Sequence, residues 1–160
     1  MATEKVVVTT PTDREVVITR TFDAPRKLIW ECHTRPELVR QWLLGPAGWE
    51  MPVCRIDLKV GGKYRYEWKN TDGRTMGMGG TFREIDAPAR LVANEMFDDD
   101  WTGGETTVTQ VFDEKTGRTT LTLTVLYASK KARDGAIATG MTSGLDAGYD
   151  RLEELAKSLG

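Results

Sequence analysis

The chain has 160 residues, 39% of them hydrophobic and 29% charged, a composition that fits one folded domain with its own core and excludes a disordered segment. Its 22 basic and 24 acidic residues give a formal net charge of −2. The basic residues are scattered along the chain, so neither nucleic acid nor an anionic membrane surface is expected as a partner.

Residues 1–14 are expected to form a flexible arm, and residues 15–160 a single domain. The apolar run at residues 6–8 is too short for a signal-peptide core. No stretch approaches the ~20 apolar residues of a membrane span, so no membrane insertion is expected. Alternation over residues 15–22 predicts a strand with Val16, Ile18, Arg20 and Phe22 on one face. Asp23-Ala24-Pro25 then starts a helix, with Asp23 as cap and Pro25 in the first turn. That helix carries Leu28, Ile29 and Cys32 at helical spacing. Thr34-Arg35-Pro36 interrupts it, and a second short helix with Leu38, Val39 and Trp42 stops at Gly45-Pro46. Strands are predicted over residues 49–60, 63–69, 75–86, 90–97, 105–113 and 118–127. Gly61-Gly62, Asp72-Gly73, Ala87-Pro88 and Lys115-Thr116-Gly117 supply turns between them. Connections this short require antiparallel pairing. The two cysteines, Cys32 and Cys54, fall on different predicted elements among apolar neighbours. They read as reduced thiols in a cytoplasmic protein, although their sequence positions leave a bridge between them open.

The last segment changes period. Ser129 caps a long helix with Ile137, Met141, Leu145, Leu152, Leu155 and Leu159 on one stripe and Asp146, Asp150, Glu153 and Lys157 opposite. Gly140, Gly144 and Gly148 recur every fourth residue near that stripe. Each interior glycine costs about 1 kcal/mol relative to alanine, so something should offset them. Either the helix backbone packs directly on a neighbour, or the missing side chains leave room for a ligand. Facing the helix, Tyr64, Tyr66 and Trp68 share a strand face, as do Met76, Met78, Gly80 and Phe82. Aromatic and methionine side chains of this kind line adaptable apolar pockets, and they equally make up ordinary cores. The candidate ligand-binding set is Trp49, Met51, Tyr64, Tyr66, Trp68, Met76, Met78, Phe82, Glu95 and Phe97 from the strands. Met141, Gly144, Leu145 and Gly148 complete it from the helix.

Reactive chemistry is sparse. His33 is the only histidine, which removes His-pair metal motifs, and it is expected on partly exposed helix surface. The Gly77-Met78-Gly79-Gly80 run lies within a strand pattern with no helix after it, so it marks bulges or curvature and not a phosphate loop. Asp98-Asp99-Asp100 lacks calcium-loop spacing and reads as a solvated loop. No metal and no cofactor are expected. Glu95, with Ala93 and Phe97 on its own face, is the one weak candidate for a catalytic acid. Pointing inward it would have a raised pKa and could move a proton; pointing outward at an edge it would do nothing. The chain therefore reads as a binder before an enzyme.

The segment from Ile18 to Pro46 resembles the opening of the activator of heat-shock protein 90 ATPase homologue family. It matches that family's pattern at Arg20, Phe22, Ala24, Pro25, Trp30, Thr34, Pro36, Leu38, Trp42 and Pro46. Further matches are the block from Asp57 to Tyr66, Asp72-Gly73, the Gly80–Ile85 and Pro88–Leu91 blocks, and the closing block from Gly148 to Leu155. The resemblance covers residues 15–158. It implies an α+β helix-grip fold, β-α-α-β6-α, of the START-like, SRPBCC or birch-pollen-allergen-like superfamily, with a curved antiparallel sheet around a long C-terminal helix. Superfamily members bind small hydrophobic molecules, lipids or polyketides under that helix, and some relatives are aromatases or cyclases. The family's name implies a chaperone or stress-related partner. Its eukaryotic namesake has a further N-terminal domain that contributes to chaperone binding, for which 160 residues leave no room. A monomer or weak homodimer is expected.

Overall fold

The computed structural model describes residues 5–45, 47–99 and 104–160. Pro46, residues 1–4 of the expected arm and residues 100–103 of the acidic loop lie outside it. Eight strands form one antiparallel sheet in the order β1-β2-β8-β7-β6-β5-β4-β3. They are β1 (Val7–Thr9), β2 (Glu15–Phe22), β3 (Trp49–Ile56), β4 (Lys63–Asn70), β5 (Thr75–Asp86), β6 (Arg90–Phe97), β7 (Thr106–Lys115) and β8 (Arg118–Leu126). Helices α1 (Arg26–Thr34) and α2 (Pro36–Trp42) connect β2 to β3, and α3 (Lys130–Ala138) and α4 (Met141–Leu159) follow β8. This is the curved-sheet, helix-grip α+β architecture. Among the described residues no helix is long and apolar enough to cross a membrane.

The alternation of β2 is realised in full. Val16, Ile18, Arg20 and Phe22 are all buried, and Arg20 and Phe22 meet α4. Arg20 is the exception in kind, a buried cation with its guanidinium 5.1 Å over the Phe22 ring. Acids of α4 surround it: Asp150 at 3.0 Å, Asp146 at 3.7 Å and Glu153 at 3.7 Å. The polar side predicted for the last helix is thus partly an inward one, since a buried cation is tolerable only when paired.

Four expectations change. Part of the arm is a strand: Val7, Val8 and Thr9 pair with Thr19, Ile18 and Val17 along β2, because β-branched residues suit an edge and their backbone groups find partners there. The single C-terminal helix is two. Gly140 has φ 79° in the left-handed region that glycine enters without strain, so it ends α3 and starts α4. Ser129 does cap α3, accepting from the Ala132 N–H at 3.0 Å. Asp23 does not cap α1, whose N-cap is Pro25 without a side-chain bond. Its carboxylate lies 3.7 Å from Lys157 and its N–H donates to Glu153; the tertiary contact with α4 outcompetes the local one. Of the two roles expected for the glycines of β5, bulge or curvature, the bulge is absent. Pairing with β4 runs without a slip through Gly77, Gly79 and Gly80, and the irregularity in β5 lies between Phe82 and Glu84.

Candidate functional site

A cavity of about 260 Å³ lies between the inner face of the sheet and the α1–α2 pair. Its aromatic wall is Tyr64, Tyr66 and Trp68 of β4 with Phe82 of β5 and Phe97 of β6. Its centre is built from smaller side chains. Ala93, Val108 and Val125 are cross-strand partners on β6, β7 and β8, and all three line it. Small residues in the middle of a curved sheet, with bulky ones toward its side, leave volume that no side chain fills. His33, Val39 and Trp42 from the helices, Leu43 after them and Met141 at the start of α4 close the other side. The Trp68 indole N–H donates to the Leu43 carbonyl at 2.7 Å, and that of Trp42 donates to the Cys32 carbonyl at 2.7 Å. Both indoles are thereby fixed, with their polar atoms spent on backbone.

The polar furniture begins with a cross-strand row. Tyr64, Gly80, Glu95 and Thr106 are successive partners across β4, β5, β6 and β7. A Cβ on Gly80 would overlap the Tyr64 ring. Its absence lets that ring lie across β5, so that the phenol donates to Glu95 Oε2 at 2.7 Å. Glu95 therefore points inward. Burial raises its pKa above the usual carboxylate range, opposed in part by the Tyr64 hydrogen bond, which favours the charged form. Tyr64 and Tyr66 are pushed up in turn, first by burial and then by the Glu95 charge. Tyr127 is pushed up to about 12 for the same two reasons, in the same order. Three phenols thus surround one buried carboxyl group.

His33 is the second polar group, and it overturns the expectation of helix surface. It is 8% exposed, with its ring against Trp42 (centroids 4.9 Å apart) and Phe112 (5.1 Å). Nδ1 lies 2.8 Å from the Ile29 carbonyl oxygen. A carbonyl only accepts, so Nδ1 carries the hydrogen and Nε2 presents a bare lone pair. Nε2 is buried and has no hydrogen-bond partner among the described residues. Burial lowers the imidazole pKa to about 4, so the ring is neutral at pH 7.

Of the sequence-predicted site residues, Tyr64, Tyr66, Trp68, Met78, Phe82, Glu95, Phe97 and Met141 surround the cavity. The others lie elsewhere. Trp49 is near the sheet edge with the Arg74 guanidinium 5.4 Å over its ring. Met51 is buried core, and Met76 pairs with Trp68 outside the cavity lining. Leu145 packs against the core, away from the cavity. Gly148 is a close-contact position: a Cβ there would sit 3.3 Å from the Trp42 carbonyl oxygen. Gly144 passes the Gly45 backbone, whose Cα would be 4.0 Å from an added Cβ. Gly148 therefore serves packing against α2, Gly144 passes the segment after it, Gly140 breaks the helix through its positive φ, and most of the lining of the space inside comes from the sheet. The sequence reading missed His33, Trp42 and Gln110 as lining. Alternation along β7 carries the signal for Gln110, which shares a face with Val108. Nothing in the local pattern marks His33.

A family model, activator of Hsp90 ATPase homolog 1-like protein, matches residues 23–157. The chain belongs to this family. No curated protein matches it. Solved structures similar to this Hsp90 ATPase activator homologue-like chain include a protein from Rhodobacter sphaeroides with 30% identity. It covers 96% of this chain and 99% of its own, with a TM-score of 0.91. A Mycobacterium smegmatis protein is 24% identical over 94% and 96% of the two chains, with a TM-score of 0.81. An AHSA1-like protein from Aeromonas hydrophila is 22% identical over 87% and 93%, with a TM-score of 0.70. The last two support the fold alone.

Proposed function

We propose that this Hsp90 ATPase activator homologue-like domain binds a small, mostly apolar molecule in the cavity between sheet and helices. The observation that carries the reading is a cavity of about 260 Å³ with an aromatic wall and a few polar residues in its lining, Glu95 and Gln110 among them. Protein interiors are otherwise close-packed, and an apolar pocket with a few convergent polar groups is what ligand sites look like. A 150 Å³ cavity holds benzene, so this one accommodates roughly ten non-hydrogen atoms. That size favours a one- or two-ring compound over a sterol or a whole lipid.

The test is a two-dimensional NMR titration with a library of one- and two-ring aromatics. Resonances of Trp68, Met78 and Met141 should shift saturably. Ala93→Leu places three further carbons at the centre of the cavity and should abolish those shifts while leaving the protein folded. Absence of shifts at millimolar concentration, or shifts unchanged in Ala93→Leu, would remove the proposal. The family's description names activation of a chaperone ATPase, a reading that by itself gives the cavity no part.

A further inference from the structure

The charges around the cavity are unbalanced. Glu95 is the one acid in its lining, and among the described residues no lysine or arginine lines it. His33 adds no charge at pH 7, because burial lowers its pKa to about 4. The Glu95 carboxyl is held to the inner face by the Tyr64 hydroxyl, 2.7 Å from Oε2, and the residue is only partly buried. Aromatic rings stand around it. Tyr66 and Trp68 continue the inner face of β4, with ring centroids 5.9 Å apart and planes at 72°. Phe97, two residues beyond Glu95 on β6, lies 6.4 Å from Trp68 and nearly parallel to it. A lone carboxyl group among differently tilted rings is the construction of a cation site.

We propose that the ligand is a small one-ring amine in its ammonium form, whose charged head pairs with Glu95 beside the rings of Tyr64, Tyr66 and Trp68. This rests on the cavity being a binding site. Two physical arguments support the chemistry. A carboxylate inside a protein without a cation is unfavourable, and a ligand that brings the cation supplies the missing partner. Aromatic faces are the negative part of the ring and attract a cation that has left water. Tyr66, Tyr127, Thr106 and Gln110 also line the cavity. Their neutral hydroxyl and amide groups both donate and accept, so they serve a neutral ligand as well as a charged one, and Glu95 is the group that discriminates by charge. Burial raises its pKa, and an adjacent ammonium ion draws the carboxyl back to its charged form. A carboxylate ligand meets Glu95 with no cation to offset it.

Three matched probes separate the ideas at pH 7: 2-phenylethylamine, 2-phenylethanol and phenylacetate. They share one ring, stay within roughly ten non-hydrogen atoms, and carry positive, zero and negative charge. Titrated by NMR, the amine should bind at least about tenfold tighter than the alcohol, the scale of one hydrogen bond to a charged group. Phenylacetate should bind more weakly than either. In the wild-type complex, cross-relaxation from the methylene beside the nitrogen should reach the ring protons of Tyr64 and Tyr66. Glu95→Gln keeps an acceptor for the Tyr64 hydroxyl and removes the charge, so the preference for the amine should vanish while the alcohol binds as before. An alcohol or acid bound as tightly as the amine, a preference that survives in Glu95→Gln, or a methylene placed away from both tyrosines overturns the ammonium inference and leaves the cavity reading intact. Failure of all three probes to bind overturns both.

Discussion

His33 makes the sharpest quantitative demand on this protein. An ordinary imidazole titrates near 6.5, whereas burial lowers that of His33 to about 4. Between those values the unfolded chain takes up a proton that the folded chain refuses. Stability therefore falls as pH falls through this window and is fully present above it. Each pH unit corresponds to ~1.4 kcal/mol, so lowering the pH from 7 to 5 should remove about 2 kcal/mol. Glu95 acts in the opposite sense. Its raised pKa keeps a proton on the folded state that the unfolded carboxyl has lost, which favours folding toward low pH. A single stability curve would blend the two effects, and a comparison separates them. His33→Phe keeps a ring between Trp42 and Phe112 and leaves Glu95 in place. Urea unfolding at pH 5, 6 and 7 should show wild type losing about 2 kcal/mol relative to the variant across that range. A direct check is available because the chain has one histidine: its ring protons should titrate near 4 in the folded protein. Parallel stability curves, or a midpoint near 6.5, would show that the ring is solvated and would refute the argument from burial.

Other consequences can be measured on the same protein. Arg20→Met should destabilise by about 3–5 kcal/mol in chemical denaturation, because the fully buried guanidinium is flanked by Asp146, Asp150 and Glu153 and its loss leaves their charges uncompensated. Gly80→Ala should cost about 1–3 kcal/mol, since the new Cβ meets the Tyr64 ring and the Tyr64–Glu95 hydrogen bond must open. Tyrosine fluorescence or NMR would report the displaced ring. Glu95→Gln should remove the fall in stability that wild type shows as pH rises through the raised Glu95 pKa, making the variant at least as stable as wild type at pH 8; a larger fall in the variant would contradict an inward carboxyl. Gly140→Ala should cost about 1 kcal/mol through its positive φ alone, because no atom stands near an added Cβ.

Much of the sheet is legible in the sequence because strand alternation is local. Residues 75–86 and 90–97 are strands as expected, and the turns before the first and between the two fall at Gly73 and Ala87-Pro88. The break between α3 and α4 is harder to see. Ile137 and Met141 both pack against the core on either side of it, so the apolar stripe runs on through Gly140 and hides the change of helix. The expectation of a partly exposed His33 fails because the buried face of α1 is broad. In α1, Ile29, Trp30, Cys32, His33 and Thr34 are all buried, a wider arc than amphipathic spacing anticipates. The cause is tertiary: α1 is packed against α4 on one side and against β7 and β8 on another.

The glycines show why composition misleads about empty space. A missing side chain signals a void only if nothing else occupies the place. At Gly148 the Trp42 carbonyl takes it, and at Gly80 the Tyr64 ring does. The volume that remains arises where Ala93, Val108 and Val125 meet across three strands, residues separated by up to 32 positions in sequence, so that no single window of sequence contains the hollow. Gly80 nevertheless shapes the site's chemistry. By yielding its place to Tyr64 it lets a phenol from β4 reach a carboxyl group on β6, which turns an apolar cavity into one with a fixed polar wall. A mutation that filled the hollow and one that displaced Tyr64 should therefore differ in kind: Ala93→Leu should exclude every probe, whereas Gly80→Ala should alter which probes are preferred.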